Sequence, residues 1–327
     1  MWGRVVMGAG WVAGTARARA LRTRCLGAEG IGEVASCSTL DEALHHLAVT
    51  PYRHDVTAGA TTAEAQRAIS STLLWHLRVL AGWQPAAGVQ AVRALAAGFE
   101  ISNVEHHLRG MALDMHGPGP RRESFRPPPH HLGALAIAWP RLARTRTAAE
   151  LRTALASCAW GDPGGESPAA VASGLRISAA VRLADAVPDA ARWAAARIAL
   201  QLGREMFVVG RRLPDAGLRR AARLLGPRAV GSGAYADFRQ ALPPTASWLF
   251  DDIDQAQDLW RAEGRWWETV GQDGRELLRR SGFGRPPVVG AVALLSADAW
   301  RTRGALELAS RGAGPTHWTV EVPDGPG

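Results

Sequence analysis

Three adjacent histidine pairs, His45–His46, His106–His107 and His130–His131, are the side chains best suited to hold a metal, because imidazole is the commonest protein ligand for transition ions. Neighbours on a helix point about 100° apart, so a pair of this kind rarely closes on one ion. No H-E-x-x-H or paired Cys/His spacing accompanies them. Asp251, Asp252 and Asp254 have the chemistry of a magnesium cluster that grips a diphosphate, yet no second acidic cluster follows. Acids at that place suit the start of the helix that carries Trp260, Trp266 and Trp267, where they favour the N-terminal dipole. The chain has no lysine, so all 38 basic residues are arginine, and a P-loop, whose lysine reaches the terminal phosphates, is excluded. Cys25, Cys37 and Cys158 are an odd set with no C-x-x-C pairing, which argues against a disulfide framework and a zinc site and fits a reducing compartment. The expectation is no catalytic residue, no metal and no cofactor.

What remains is charge and a few polar turns. The formal net charge of +8 draws a protein to nucleic acid, to anionic headgroups or to an acidic partner. Arg17, Arg19, Arg22 and Arg24 sit close together, but on a helical wheel Arg17 and Arg24 share one side while Arg19 and Arg22 lie nearly opposite. That division breaks up a continuous nucleic-acid ridge. It leaves open a solvated face, a contact with an acidic partner, or nucleic acid. Glu100 and Asn103 lie one turn apart on a helix whose other face is apolar, so both can reach a neighbouring helix. They read as a buried hydrogen bond that sets a helix angle, or as the junction between repeats. Glu105 and Arg109 are an i, i+4 ion pair worth a few tenths of a kcal/mol.

The elements that must position these residues are helical. The stretch from Thr39 to Tyr52 aligns without a gap on Thr147 to Trp160. In each, a threonine stands as N-cap with Glu42 or Glu150 at the third helical position, the capping-box spacing. In each, an aromatic residue pins the loop that follows. A looser third echo runs from Tyr235 to Trp248. Repetition at about a third of the length predicts one helical unit used three times, and the Ala, Leu and Arg content suits an all-α protein. Apolar periodicity predicts helices over 16–26, 40–49, 62–81 and 89–115, then 147–157 and 190–212, and a last one through Val288, Val292, Leu295, Ala299, Leu306 and Ala309. Gly117–Pro120 with Arg126–Pro129, and then Gly226–Gly233, mark boundaries that divide the chain into units 1–117, 118–227 and 228–327. Trp318 to Val322 alternates like a short extended segment. The apolar N-terminus is interrupted by glycines and reads as part of a mature helix rather than a signal peptide. No run reaches the roughly 20 apolar residues that cross a bilayer.

Three stretches in this order resemble one family. They are Arg17–Arg24 followed by Ser38–Tyr52, then Phe99–Gly110, then Pro287–Leu295 running through Arg301 to Leu308. Together they are similar to the central-stalk subunit of V-type and A-type rotary ATPases, of the C type in prokaryotes and the d type in eukaryotes. The resemblance implies three tandem, pseudo-threefold helical bundles that form a funnel-shaped socket. It implies a non-catalytic rotor part that couples the rotating shaft to the membrane proteolipid ring of a proton- or sodium-translocating ATPase or ATP synthase. Such a part sits peripherally on the cytoplasmic face of the plasma membrane and takes no small-molecule substrate. Arg17, Arg19, Arg22, Arg24, Tyr52, Glu100, Asn103, Arg109, Asp298 and Arg301 are then the expected interface residues. The chain departs from the family pattern where Gln201 and Arg301 stand in the places of Asn103, with Asp298 where the last acid is expected. The alternative expectation is an Arg-rich helical adaptor for nucleic acid.

Overall fold

The computed structural model describes residues 2–114 and 128–312, and every regular element among them is helical. Helix α1 (Trp2–Ala20) runs into a 3₁₀ turn (Leu21–Arg24), and α2 (Gly27–Ser36) and α3 (Leu40–Leu47) follow. Then come α4 (Thr62–Gly82), α5 (Ala86–Leu95) and α6 (Ala97–Asp114). The middle of the chain supplies α7 (Trp139–Leu142), α8 (Ala148–Ala156), α9 (Pro168–Ala186), α10 (Ala191–Gly203) and α11 (Asp215–Leu225). The last part supplies α12 (Pro227–Val230), α13 (Tyr235–Ala241), α14 (Pro244–Ser247), α15 (Leu259–Arg279) and α16 (Arg285–Ser310). No helix among the described residues is long and apolar enough to cross a membrane. The Trp318–Val322 segment and the Gly117–Pro120 boundary lie outside the described residues.

The two aligned phrases fold alike. Thr39 Oγ1 accepts from Glu42 N at 3.2 Å, and the Glu42 carboxylate accepts from Ser38 N at 2.8 Å. Thr147 Oγ1 accepts from Glu150 N at 3.1 Å, and the Glu150 carboxylate accepts from Arg146 N at 2.8 Å. In both, the carboxylate reaches the amide before the cap instead of the cap's own. A full reciprocal box stands at Thr61 and Glu64 on α4, outside the repeated phrases. The third echo does form a helix, α13, but it starts after Ala234, which has no side-chain acceptor to cap it.

Several boundaries differ from those expected. The helix predicted over 89–115 is broken between α5 and α6 at Ala96, and α1 starts well before residue 16. Helix α2 escapes prediction because three glycines lower its intrinsic propensity. It is held instead by packing of Ile31 and Val34 in a core with Ala299, Leu306 and Ala309 of α16. The 190–212 prediction ends as α-helix at Gly203 and continues as a π turn over Arg204–Val208.

Helix α16 runs through the middle of the packing, against α1, α2, α4, α5 and α15. Its closest approach is to α15, where a Cβ added at Gly290 would lie 2.6 Å from the carbonyl oxygen of Gly274. The apolar cores straddle the three parts of the chain. Leu44, Leu47 and Ile69 pack with Ala299 and Leu306. Ile101, Val104 and Leu108 pack with Leu151, Leu155, Val171 and Leu175. Ile198 and Leu202 pack with Phe238, Leu249, Phe250 and Leu259.

Candidate functional site

Two buried carboxylates, each on a long helix, make the same set of bonds to a distant part of the chain. Asp298 of α16 is 4% exposed. It accepts from the amides of Leu26 and Gly27, both at 2.9 Å, and from the Tyr52 hydroxyl at 2.8 Å. Glu100 of α6 is 1% exposed. It accepts from the amides of Ile137 at 2.5 Å and Ala138 at 2.7 Å, and from the Trp160 indole at 2.8 Å. Each carboxylate therefore spans two consecutive amides with its two oxygens and takes a ring donor as a third. Tyr52 and Trp160 are the two aromatics that end the aligned phrases, and both are buried. The loops are pinned by aromatics as the sequence suggested. That the two carboxylates receive the aromatic donors lies beyond the sequence expectation. An acid within an apolar helix was the available signal, because a buried charge requires partners.

Electrostatics fits this geometry. Burial raises the Asp298 carboxyl above its ordinary value, against three hydrogen bonds and Arg301, which favour the charged form. Burial first, and the neighbouring Asp298 charge second, hold the Tyr52 hydroxyl well above its usual range, so it stays a donor. One turn beyond Glu100, Asn103 is also buried and holds the backbone of His130. Its Oδ1 accepts from His130 N at 2.6 Å and its Nδ2 donates to His130 O at 2.9 Å. Glu100 and Asn103 thus grip two points of the segment that leads from residue 130 into α7, not a neighbouring helix.

The junction from the middle to the last part uses other chemistry. On α10, Gln201 makes only a long contact of 3.5 Å to Ser173 O. Charge carries this junction: Arg197 and Arg204 both reach Glu263 of α15, at 3.2 and 2.8 Å. The cations sit on α10 and on the π turn that follows it, and the acid sits on α15.

The four N-terminal arginines divide as the helical wheel divides them. Arg17 and Arg24 bear on His76 of α4, whose imidazole is held down to about 4 by burial first and those charges second. Arg19 and Arg22 line a cleft with α15 instead. Arg109 stands 3.9 Å from Glu105 as expected, but Glu105 is bound more closely, at 2.5 Å, by Arg176 of α9. Arg301 is half-buried, with its charge disfavoured by burial and by the nearby Arg275. Tyr52, Glu100, Asn103 and Asp298 are occupied within the chain, so they bear on any interface only through the shape they set.

The histidine pairs are scattered among separate partners. His46 meets Glu33 at 3.1 Å, His107 meets Thr145 O at 3.0 Å, and no three ligand-type side chains gather among the described residues. Asp251 to Asp254 form a turn with Asp252 at φ 58°, and α15 begins only at Leu259. These acids therefore precede the helix rather than fill its first turn, while Trp260, Trp266 and Trp267 do lie on it.

Comparison with known sequences gives one family. The model described as ATP synthase (C/AC39) subunit matches residues 15–163. No curated protein matches the chain. The matched span contains Tyr52, Glu100, Asn103 and Trp160, and so the whole of the Glu100 junction.

Proposed function

We propose that the chain is a member of the ATP synthase (C/AC39) subunit family, whose model matches residues 15–163, and that it is the non-catalytic central-stalk subunit that couples a rotating shaft to the proteolipid ring of a V/A-type ATPase or ATP synthase. In this reading units 1–117, 118–227 and 228–327 are pseudo-equivalent bundles around a funnel-shaped socket. The protein is peripheral, at the cytoplasmic face of the plasma membrane. Nucleotide chemistry belongs to other subunits.

The observation that carries the reading is the pair of matched carboxylate junctions. Asp298 ties the last part to the first, and Glu100 ties the first to the middle. A part that transmits torque needs units that cannot rotate against one another. Buried, fully bonded junctions at close-packed cores supply that stiffness. Arg17, Arg24, Arg109 and Arg301 are the proposed contacts with acidic partner surfaces, and Tyr52, Glu100, Asn103 and Asp298 shape the bodies that carry them. Arg19 and Arg22 face a cleft of their own. No observation favours the nucleic-acid alternative, since the arginine cluster is divided between two faces.

Affinity purification of the tagged protein from detergent-solubilised membranes of its own host, read by mass spectrometry, tests the proposal. Recovery of catalytic-head subunits with a small proteolipid is expected. Recovery from the soluble fraction alone, without those subunits, would overturn it.

A further inference from the structure

Between the 3₁₀ turn at the end of α1 and the C-terminal half of α15 lies a cleft of about 330 Å³, lined by Arg19, Arg22, Thr23, Arg275, Leu278 and Arg279. Four of these six side chains are guanidinium groups, and neither Asp nor Glu is among them. Arg19 is partly engaged, since its Nη2 donates to Arg280 O at 2.9 Å and to Gly282 O at 3.1 Å. Thr23 turns its hydroxyl proton back to Ala20 O at 3.0 Å and has none to offer a ligand. For Arg22, Arg275 and Arg279 no ion pair exists among the described residues, although arginine–carboxylate pairs are common elsewhere on this surface. Arg301 lies near Arg275, with Glu268 and Asp298 acting on it in the opposite sense.

The chain brings these arginines together from positions about 250 residues apart, with no carboxylate in the lining of the cleft. Like charges in a half-enclosed cleft repel, and the low-dielectric walls strengthen that repulsion. Such an arrangement is complementary to a compact anion with several acceptor oxygens. Planar guanidinium forks match a phosphate better than a single carboxylate, because each can give two parallel N–H bonds. Arg275 and Arg279 lie one turn apart on α15 and so present their forks together. Leu278, the one apolar residue of the lining, is buried.

We propose that the Arg19–Arg22–Arg275–Arg279 cleft binds a phosphate group. The same chemistry would recognise a free phosphate or pyrophosphate and the headgroup of an anionic phospholipid. The cleft would bind it whether or not the protein is seated in a rotary complex.

The test uses the purified full-length protein. Calorimetric titration with inorganic pyrophosphate is set beside flotation with vesicles of phosphatidylcholine alone and of phosphatidylcholine with phosphatidylglycerol. The Arg22→Gln/Arg275→Gln variant is compared with Arg144→Gln/Arg146→Gln, which removes the same charge from positions outside the cleft. Arg279→Gln, at an exposed last-turn position, repeats the measurement with less risk to folding. Binding should fall about tenfold or more in the cleft variants and stay within about twofold in the control. Saturable pyrophosphate binding assigns a free phosphate. Flotation with phosphatidylglycerol alone, lost in the cleft variants, assigns a headgroup. Equal loss in cleft and control variants, or no binding of either probe, would overturn the proposal.

Discussion

At the scale of single residues, the junction carboxylates are where one atom matters most. Glu100→Gln and Asp298→Asn keep the shape but set an amide NH₂ against backbone N–H donors. A buried donor then loses its acceptor, so each variant should lose about 2–4 kcal/mol, read as a lower urea midpoint. Tyr52→Phe removes only the third bond of the Asp298 set and should cost about 1–2 kcal/mol. A second residue-scale effect is acid sensitivity. His76 and His130 are 6% and 9% exposed, and burial, aided by nearby arginines, depresses both imidazoles from 6.5 to about 4. A depressed imidazole stabilises the fold fully above pH 6.5, and that stability drains away as pH falls toward 4. Asp298, raised by burial, runs the opposite way and favours the fold at the low end of that range. Between pH 7 and 5 the native protein should therefore lose roughly 2 kcal/mol more than His76→Leu, measured by urea unfolding at each pH. Identical losses would mean that His76 binds protons equally in the folded and unfolded chain and is not depressed by burial.

Among elements, the contact that fixes geometry is the crossing of α15 and α16. Gly290 faces Gly274 O, Leu278 N and Leu277 Cβ, all within 3.0 Å of where its Cβ would stand. Alanine would gain about 1 kcal/mol of helix propensity on an open face. Here the clash is with backbone, so Gly290→Ala should instead destabilise by about 1–3 kcal/mol. A thermal midpoint at or above the native one would show that α15 can shift to accommodate it. Legibility in the sequence followed the same division between local and distant. The α3 and α8 caps were readable because threonine and glutamate three residues apart report on each other. So was α16, whose apolar period is long and regular. Helix α2, rich in glycine, exists only because α16 covers it. The acids at 100 and 298 were visible as polar residues in apolar helices, but their partners lie up to 272 residues away. Arg275 and Arg279 had no signal at all, since nothing near them in sequence points toward Arg19 and Arg22.

For the molecule as a whole, the straddling cores make the three parts interdependent. Leu44 and Leu47 are covered by residues near 300, and Ile101 and Leu108 by residues near 155. A fragment of residues 1–117 should therefore remain largely unfolded, with amide protons that exchange within seconds, while the full chain protects them. Urea unfolding of the full chain should show coincident transitions by tryptophan fluorescence and circular dichroism. Two separated transitions would mean that one part stands alone.

The bond from Asp298 back to Gly27 joins residues 271 positions apart, and that span is also a delay. A ribosome adding about 5–20 residues per second needs roughly 15–55 s to travel it. For most of that interval, once residue 82 has been added, α2, α3 and α4 are made, with their apolar faces open and the helix that will cover them not yet in existence. The earliest part of the protein is thus the last to be finished, and it spends its youth as a client for whatever shields nascent chains.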